Sequence, residues 1–335
     1  MDMDLISNYF YENRGFNGGA LYLINDALSN KNTKDKVNKG ANSVINVKNN
    51  IFDNNFADNY GGGIYSEFDQ FYMANSKNNT IKNNSAGTMG GGIYSPESFN
   101  KNVFNIKEDC IFFNNTVSYH DSNYATRPSI LSLDTAIENI KIFTGDYLPL
   151  EFTVHDEFGD KIEDVYNNYS TITMVISMYE KDEYIENYYL DQKRHENNNI
   201  MFSVLSMHIK YNLLGNIGTF KHGKFELKYL QIFAKPGNYV LNVEIENYNY
   251  KLKFDFKKIE IEVLGCNENQ ITMYNHYNIE YCEKPICHSD CPITKSAICK
   301  PFYNTSINDP DKNKCVCLPG WSGKLCENHI WVEFK

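Results

Sequence analysis

The sequence predicts a mainly β protein in three parts: a short parallel β-helix, an antiparallel β-sandwich and a small disulfide-rich module. Three observations predict it. A Gly-Gly-containing unit recurs through the first 135 residues, alternating apolar runs fill the middle, and eight of the nine cysteines lie between Cys266 and Cys326. A chain of 335 residues is longer than one ordinary core usually grows, so several modules are expected. The boundaries fall at 1–135, 136–265 and 266–330. The 25 Tyr and 21 Phe suit pleated, half-buried surfaces, while the many Asn and 20 Gly suit turns.

A net charge of -10 without clustered Lys and Arg excludes nucleic acid as a partner. Its ordinary consequence is solubility. No uninterrupted apolar run approaches the length of a membrane span, and MDMDLISNYF has neither a basic nor an apolar leader region. Crowded cysteines nevertheless indicate an oxidising compartment. The expectation is therefore an extracellular or cell-surface chain whose export signal, and any membrane anchor, lie outside these residues.

The repeat is visible when FYENRGFNGGALYL (10 to 23), FDNNFADNYGGGIYS (52 to 66) and IKNNSAGTMGGGIYS (81 to 95) are written together. Each has an aromatic residue or Ile, two residues, Asn, and then a Gly pair before an apolar residue. FFNNTVSYHDSNYA (112 to 125) keeps the first half and loses the glycines. The Gly pairs at 18, 62 and 91 are 44 and 29 residues apart, and the polar insertion SNKNTKDKVNKG in the longer interval reads as a loop. Strands as short as GGIYS put Ile64 or Ile93 on one face and Tyr65 or Tyr94 on the other. Such strands cannot bury a face alone, so coils stack, with Ile and Phe inside and Asn13, Asn55, Asn84 and Asn115 as a hydrogen-bond ladder. A stack needs capping, and the first unit begins within ten residues of Met1, so upstream coils are expected. The units resemble the repeat of bacterial polymorphic outer-membrane proteins, marked by Phe-x-x-Asn and Gly-Gly-Ala-Ile. Gly18-Gly19-Ala20-Leu21 and Phe52-Asp53-Asn54-Asn55 fit best. The resemblance implies a right-handed β-helix on a cell surface and no enzymatic activity.

From Ile137 to Leu264 the runs IKIF, LPLEFTVHD, STITMVISMY, IMFSVLSMHI, GKFELKYLQIFA, NYVLNVEIE, YKLKFDF and KIEIEVL alternate between turn signals. Seven or eight such strands predict an antiparallel sandwich. LPLEFTVHDEFGD and KPGNYVLNVEI are similar to stretches of immunoglobulin-like and filamin-like domains, where Asp-x-x-Gly closes a hairpin and Pro-Gly-x-Tyr enters a late strand. EKDEYIENYYLDQKRHENNN (180 to 199) reads as an exposed loop.

In CVCLPGWSGKLC (315 to 326), a one-residue gap and an eight-residue gap separate three cysteines. Gly320 and Gly323 permit turns, and Trp321 supplies the one large apolar contact of a nearly coreless hairpin. The pattern resembles the C-terminal half of an epidermal-growth-factor-like (EGF-like) module. The family's pairing carries over as Cys287 with Cys299, Cys291 with Cys315, and Cys317 with Cys326. Cys282 competes for the first position; if it does not take it, Cys266 and Cys282 pair to staple the linker. Zinc is the rival reading of Cys287-x3-Cys291 with Cys315-x-Cys317, but zinc knuckles favour Cys-x2-Cys. Calcium is not expected, because no acidic lead-in precedes these cysteines. No cofactor is expected. Asn78, Asn83, Asn114, Asn168 and Asn304 head Asn-x-Ser/Thr sequons that allow N-glycosylation of a secreted chain.

A β-helix can also be a polysaccharide lyase or hydrolase acting on plant or cell-wall glycans, which needs clustered carboxylates on adjacent coils. Asp53, Asp58, Asp69, Asp109, His120 and Asp121 do not recur in phase, and read as solvated loop charge. His155, His195, His208 and His222 are scattered, and no His-Glu-x-x-His, Gly-x-Ser-x-Gly or phosphate-loop motif occurs. The expectation is a non-catalytic binding or adhesion region with a protein or glycan ligand at the cell surface. The repeated exterior Tyr and Asn are its candidate sugar contacts. The order of the three parts is similar to the outer portion of large fungal cell-surface proteins that continue into a class C G-protein-coupled receptor membrane domain. By that likeness the chain is a detached ectodomain that reaches the membrane only through a segment it lacks.

Overall fold

The computed structural model describes residues 3–24, 45–67, 71–72, 78–96, 110–118, 120–136, 138–164, 167–181, 210–302 and 306–330. Every element described is a β-strand. Three chain circuits and a partial fourth come first. Met3–Ile6 (β1), Tyr9–Tyr11 (β2), Arg14–Asn17 (β3) and Leu21–Leu23 (β4) make coil 1. Ile45–Lys48 (β5), Ile51–Asp53 (β6), Phe56–Tyr60 (β7) and Ile64–Ser66 (β8) make coil 2. Phe71–Tyr72 (β9), Asn79–Lys82 (β10), Ser85–Ala86 (β11) and Ile93–Tyr94 (β12) make coil 3. Coil 4 holds Cys110–Phe113 (β13), Thr116–Val117 (β14), His120–Asp121 (β15) and Tyr124–Ala125 (β16). Equivalent strands pair in parallel, in the orders β1-β5-β9, β2-β6-β10-β13, β3-β7-β11-β14 and β4-β8-β12-β16. Only β15 breaks the rule, folding antiparallel onto β14.

The recurring Asn-Asn doublets explain the corners. The first Asn of each turns left-handed, with φ of 54° at Asn49 and Asn83 and 56° at Asn54 and Asn114, a conformation Asn tolerates better than other side-chain-bearing residues. The second Asn points inward and builds the ladder. Asn55 Nδ2 donates to Asn84 Oδ1 at 2.8 Å, and Asn84 Nδ2 to Asn115 Oδ1 at 2.9 Å. A second ladder, unforeseen in the sequence reading, runs through Asn8, Asn50 and Asn79. The glycines act twice. Gly61 and Gly90 take φ of 67° and 65°, and a Cβ on Gly62 would lie 2.3 Å from the Gly91 carbonyl oxygen, so coils can approach only if side chains are absent there. Inside, Val47, Phe52, Ile64, Ile81 and Ile93 are fully buried as one apolar column, each stabilising the stack by roughly 1.5–3 kcal/mol.

The second part contains Ile130–Leu133 (β17), Ile140–Phe143 (β18), Leu150–His155 (β19), Thr173–Glu180 (β20), Tyr211–Leu214 (β21), Ile217–Thr219 (β22), Lys224–Leu227 (β23), Gln231–Ala234 (β24), Gly237–Glu246 (β25), Lys253–Phe254 (β26) and Ile259–Leu264 (β27). Two sheets, β23-β19-β17-β26 and β18-β27-β25-β20-β22, share a core that includes Phe152, Phe225, Met174, Ile176 and Ile261. Most pairs are antiparallel, as expected, but β17–β26 and β18–β27 are parallel. The run GKFELKYLQIFA is two strands, not one: β23 joins a main sheet while β24 pairs with β21. The Asp156-x-x-Gly159 turn closes as expected, with Phe158 and Asp160 amides donating to Asp156 Oδ1 and Gly159 at φ 88°. Tyr239 enters β25 with its hydroxyl donating to the Lys235 carbonyl at 2.9 Å. The loop expected at 180–199, the strand at 200–209, the insertion around residue 35, Asp69, Asp109, His195, His208 and Asn304 lie wholly or largely outside the described residues.

The tail is three hairpins: Ile271–Tyr274 with Glu280–Glu283, Ala297–Lys300 with Lys314–Cys317, and Trp321–Ser322 with Asn328–His329. The first docks on the sandwich, where the Cys282 amide donates to Thr144 O and Thr144 Oγ1 donates to Glu280 O, both at 2.8 Å. The other two enclose a sulfur-lined core of Cys287, Cys291 and Cys326 with Ala297, against which the half-buried Trp321 packs.

Candidate functional site

The coil exterior is where the sequence expectation needs correction. Tyr65 and Tyr94, read as outward sugar contacts, are 8% and 3% exposed. They pack with Met89 and Ala125 into the same core cluster as the sandwich residues. The physical reason is that the sandwich folds against the coils' fourth sheet and needs large apolar groups there. Burial, together with neighbouring Tyr and Glu charge, pushes the Tyr65 phenol well above its ordinary value, and burial does the same at Tyr94 and Tyr169. Of the repeated Asn residues, Asn55, Asn84 and Asn115 are inaccessible as the buried ladder, while Asn13 in coil 1 is exposed.

A different face is open. On the sheet β2-β6-β10-β13, register places Tyr9, Ile51, Thr80 and Ile111 in one outward row and Tyr11, Asp53, Lys82 and Phe113 in the next. Strand alternation directs these residues out while Phe10, Phe52, Ile81 and Phe112 turn into the column. Apolar side chains occupy both ends: Tyr9 and Tyr11 are 59% and 48% exposed, Ile111 and Phe113 58% and 48%. At a parallel spacing of about 4.8 Å per strand, the two ends stand roughly 14 Å apart.

The centre is polar and fixed. Asp53 accepts from Tyr9 Oη at 3.2 Å and from Asn83 Nδ2 at 2.8 Å, and pairs with Lys82 Nζ at 3.2 Å. Burial raises the Asp53 pKa, but the bonds from Asn83, Lys82 and Tyr9 outweigh it and hold the carboxyl below its ordinary value. Lys82 Nζ also lies 5.8 Å from the centre of the Phe113 ring. Beside this pair Asn114 Nδ2 donates to Asn83 Oδ1 at 2.9 Å. A depression of about 470 Å3 is lined by Tyr11, Asp53, Asn54, Asn83, Asn114 and Thr116. Rings at the ends can stack on a ligand, and amide and carboxylate groups between them can hydrogen-bond hydroxyls. Sequence alternation in YFY and IFFN carried the signal for these rings, but the register that aligns them did not exist until the coils paired.

The remaining sequence candidates separate. Asp58 pairs with Arg14 at 3.0 Å and His120 with Glu163 at 3.4 Å. His155 contacts the Gly159 carbonyl, and His222 sits at a left-handed turn with φ 48°. A second depression, about 210 Å3, gathers His120, Asp121, Asp156, Asp160 and Glu163 where coil 4 meets the sandwich. Asp156 there serves the fold: its two oxygens accept from the amides of Thr126, Phe158 and Asp160. Among the described residues no group of three or more His, Cys, Asp and Glu could hold a metal ion.

The structure joins Cys266 to Cys282, Cys287 to Cys299, Cys291 to Cys315 and Cys317 to Cys326. Cys110 on β13 lies outside these bridges. Of the sequons, Asn78, Asn114 and Asn168 are exposed and Asn83 is half-buried. The Asn168 amide bridges the two β parts, donating to Thr88 Oγ1 at 2.7 Å and Asn59 Oδ1 at 3.2 Å. No helix of the described residues is long and apolar enough to cross a membrane.

Comparison with known proteins places one match on this architecture. The Chlamydia polymorphic membrane protein (Chlamydia_PMP) repeat matches residues 51–67, which are the last three strands of coil 2 and the residue that follows them. No curated protein and no solved structure matches the chain.

Proposed function

We propose that this chain is a non-catalytic binding or adhesion region of a cell-surface protein. In this reading residues 1–135 are a right-handed β-helix, 136–265 an immunoglobulin- or filamin-like sandwich and 266–330 an EGF-like module. The observation that carries it is the face from Tyr9 and Tyr11 to Ile111 and Phe113, which offers exposed rings around an ordered polar centre on a rigid stack. The four disulfides and the surface-protein repeat in coil 2 support an extracellular setting. Asp53 and Asp58 each have an ion-pair partner and His120 lies 3.4 Å from Glu163, which supports binding over glycan cleavage.

The test is binding of the purified, disulfide-intact chain to intact cells and to immobilised cell-wall polysaccharides. Tyr11→Ala combined with Phe113→Ala is expected to weaken binding about tenfold or more, while Tyr229→Ala on the sandwich leaves it unchanged. Release of reducing ends from any of those polysaccharides would replace this reading with the glycan-cleaving one. The reading frame downstream of Lys335 tests the receptor likeness: several apolar segments of about 20 residues would support it.

A further inference from the structure

The tail hairpin that pairs Ala297–Lys300 with Lys314–Cys317 sets Lys300 directly opposite Lys314. Side chains so placed share one face with their Cβ atoms about 5 Å apart, and like charges there repel. Elsewhere the chain neutralises such a pair: Glu151 stands opposite Glu226, and each is ion-paired, to Lys224 and Lys228 respectively. The two lysines have no such relief. Among the described residues no carboxylate pairs with either ammonium, and Lys314 Nζ lies instead 5.9 Å from the centre of the Phe302 ring. This is so in a chain of net charge -10. Both lysines line a depression of about 470 Å3 between their hairpin and the strand Ile271–Tyr274. Gln270, Thr272 and Ser306 line it as well, with the rings of Tyr274 and Phe302, which are 52% and 46% exposed. Glu268, also exposed, shares the depression and pairs with neither lysine.

We propose that this depression binds an anionic glycan, a sugar polymer bearing carboxylate or sulfate groups. An anion seated between Lys300 and Lys314 replaces their repulsion with charge-assisted hydrogen bonds. Tyr274 and Phe302 stack on sugar rings, and Gln270, Thr272 and Ser306 bring donors and acceptors for hydroxyls. A glycan fits better than an acidic peptide because Lys314 and Val316, like Thr272 and Tyr274, are alternate residues that meet the depression as strand faces. Extended peptides dock on strand edges instead. The site is separate from the ring-lined coil face, whose centre holds its own Asp53–Lys82 pair, and does not depend on that reading.

Biolayer interferometry tests it, with the disulfide-intact chain from a host that adds no N-glycans and with immobilised polygalacturonate, dextran sulfate, neutral dextran and polyglutamate. The expected result is binding to polygalacturonate or dextran sulfate and not to neutral dextran, weakening as salt is raised. Lys300→Gln combined with Lys314→Gln should lower that affinity about tenfold or more, and Lys300→Arg with Lys314→Arg should retain it. Lys253→Gln with Lys257→Gln, exposed on the sandwich, should change nothing. The paired Gln variant relieves a repulsion, so thermal unfolding should find its tail at least as stable as before, which separates lost binding from lost folding. Tyr11→Ala with Phe113→Ala should leave this binding intact; a loss there would move the site to the coil face and overturn the proposal. Failure to bind either anionic glycan, equal binding to neutral dextran, or binding that the paired Gln variant leaves unchanged overturns it too. A preference for polyglutamate over both anionic glycans overturns it in favour of an acidic peptide.

Discussion

The phenol of Tyr60 stacks on that of Tyr94 with ring centroids 4.7 Å apart, and Tyr169 of the sandwich leans on the pair at 6.4 Å from Tyr60. One contact therefore joins coil 2, coil 3 and the sandwich. The Tyr169 hydroxyl donates to Met89 Sδ at 3.9 Å, so the sandwich ring is tied to coil 3 by its hydroxyl as well as by its face.

Tyr94→Ala is expected to destabilise the chain by about 3–5 kcal/mol, and Tyr94→Phe by about 1 kcal/mol. Urea unfolding followed by far-UV circular dichroism measures both. If the coils and the sandwich share one core, Tyr94→Ala also shifts the sandwich transition; unfolding of the coils alone would refute the shared core.

Asn84 lies at the middle of its ladder, where it accepts from Asn55 and donates to Phe52 O and Asn115 Oδ1. Asn84→Ala strands several buried groups at about 1–3 kcal/mol each, so a loss of about 3 kcal/mol or more is expected. Asn83→Ala, one residue away at the half-buried corner, should cost about 1 kcal/mol. Equal effects in chemical denaturation would contradict the ladder.

Asp156 is pushed up to about 6 by burial, against the opposing pull of its amide bonds from Thr126, Asp160 and Phe158. A carboxyl whose folded pKa exceeds its unfolded value favours the folded state most below the unfolded pKa, near 4. That contribution fades as pH rises through about 6. A carboxyl-detected NMR titration should find Asp156 protonating about two pH units above free Asp, and Asp156→Asn should flatten stability between pH 4 and 6. A midpoint near 4 would show that the three amide bonds dominate.

The four bridges close loops with sequence separations of 16, 12, 24 and 9 residues. The chain-entropy estimate gives about 3 kcal/mol for each, slightly more for Cys291–Cys315. Reduction is expected to expose residues 285–330 to protease while the coils and sandwich keep their strand signal, because only the tail relies on sulfur for its core. Thiol titration of the denatured, unreduced chain should count Cys110 alone.

A glycan and the proposed ligand would compete at one place. Asn83 and Asn114 line the same depression as Asp53, so a glycan on Asn114 would cover the polar centre. In a glycosylating host, Asn114→Gln is expected to restore binding on the Tyr11 face; intact-mass measurement shows which sequons carry sugar. Asn83, whose amide already bonds Asp53, should be modified less than Asn114.

Much of the architecture was legible because the repeat is a physical specification. Gly before a short apolar strand, and Asn at a fixed offset, state both a corner and a ladder, and the side-chain hydrogen bonds that join Asn55, Asn84 and Asn115 follow from it. The first Asn of each doublet was not read as a corner residue, although its left-handed tolerance is a local property. Strand pairing in the sandwich was less legible: alternation marks β19, β20, β25 and β27 but is silent on their neighbours, hence the two parallel pairs.

What the sequence determined by itself is local: extended strands, left-handed corners at Asn and Gly, an apolar side to each strand, and cysteines too crowded for any core but sulfur. Tertiary structure alone decided which outward rings remained outside. Ile-Tyr alternation gives Tyr22, Tyr65 and Tyr94 the same local status, yet the sandwich covers Tyr65 and Tyr94 and leaves Tyr22 half exposed. Tyr9, Tyr11 and Phe113 become a surface only through register between coils. Side-chain direction is set by the backbone within a few residues, whereas burial depends on what arrives from a hundred residues away.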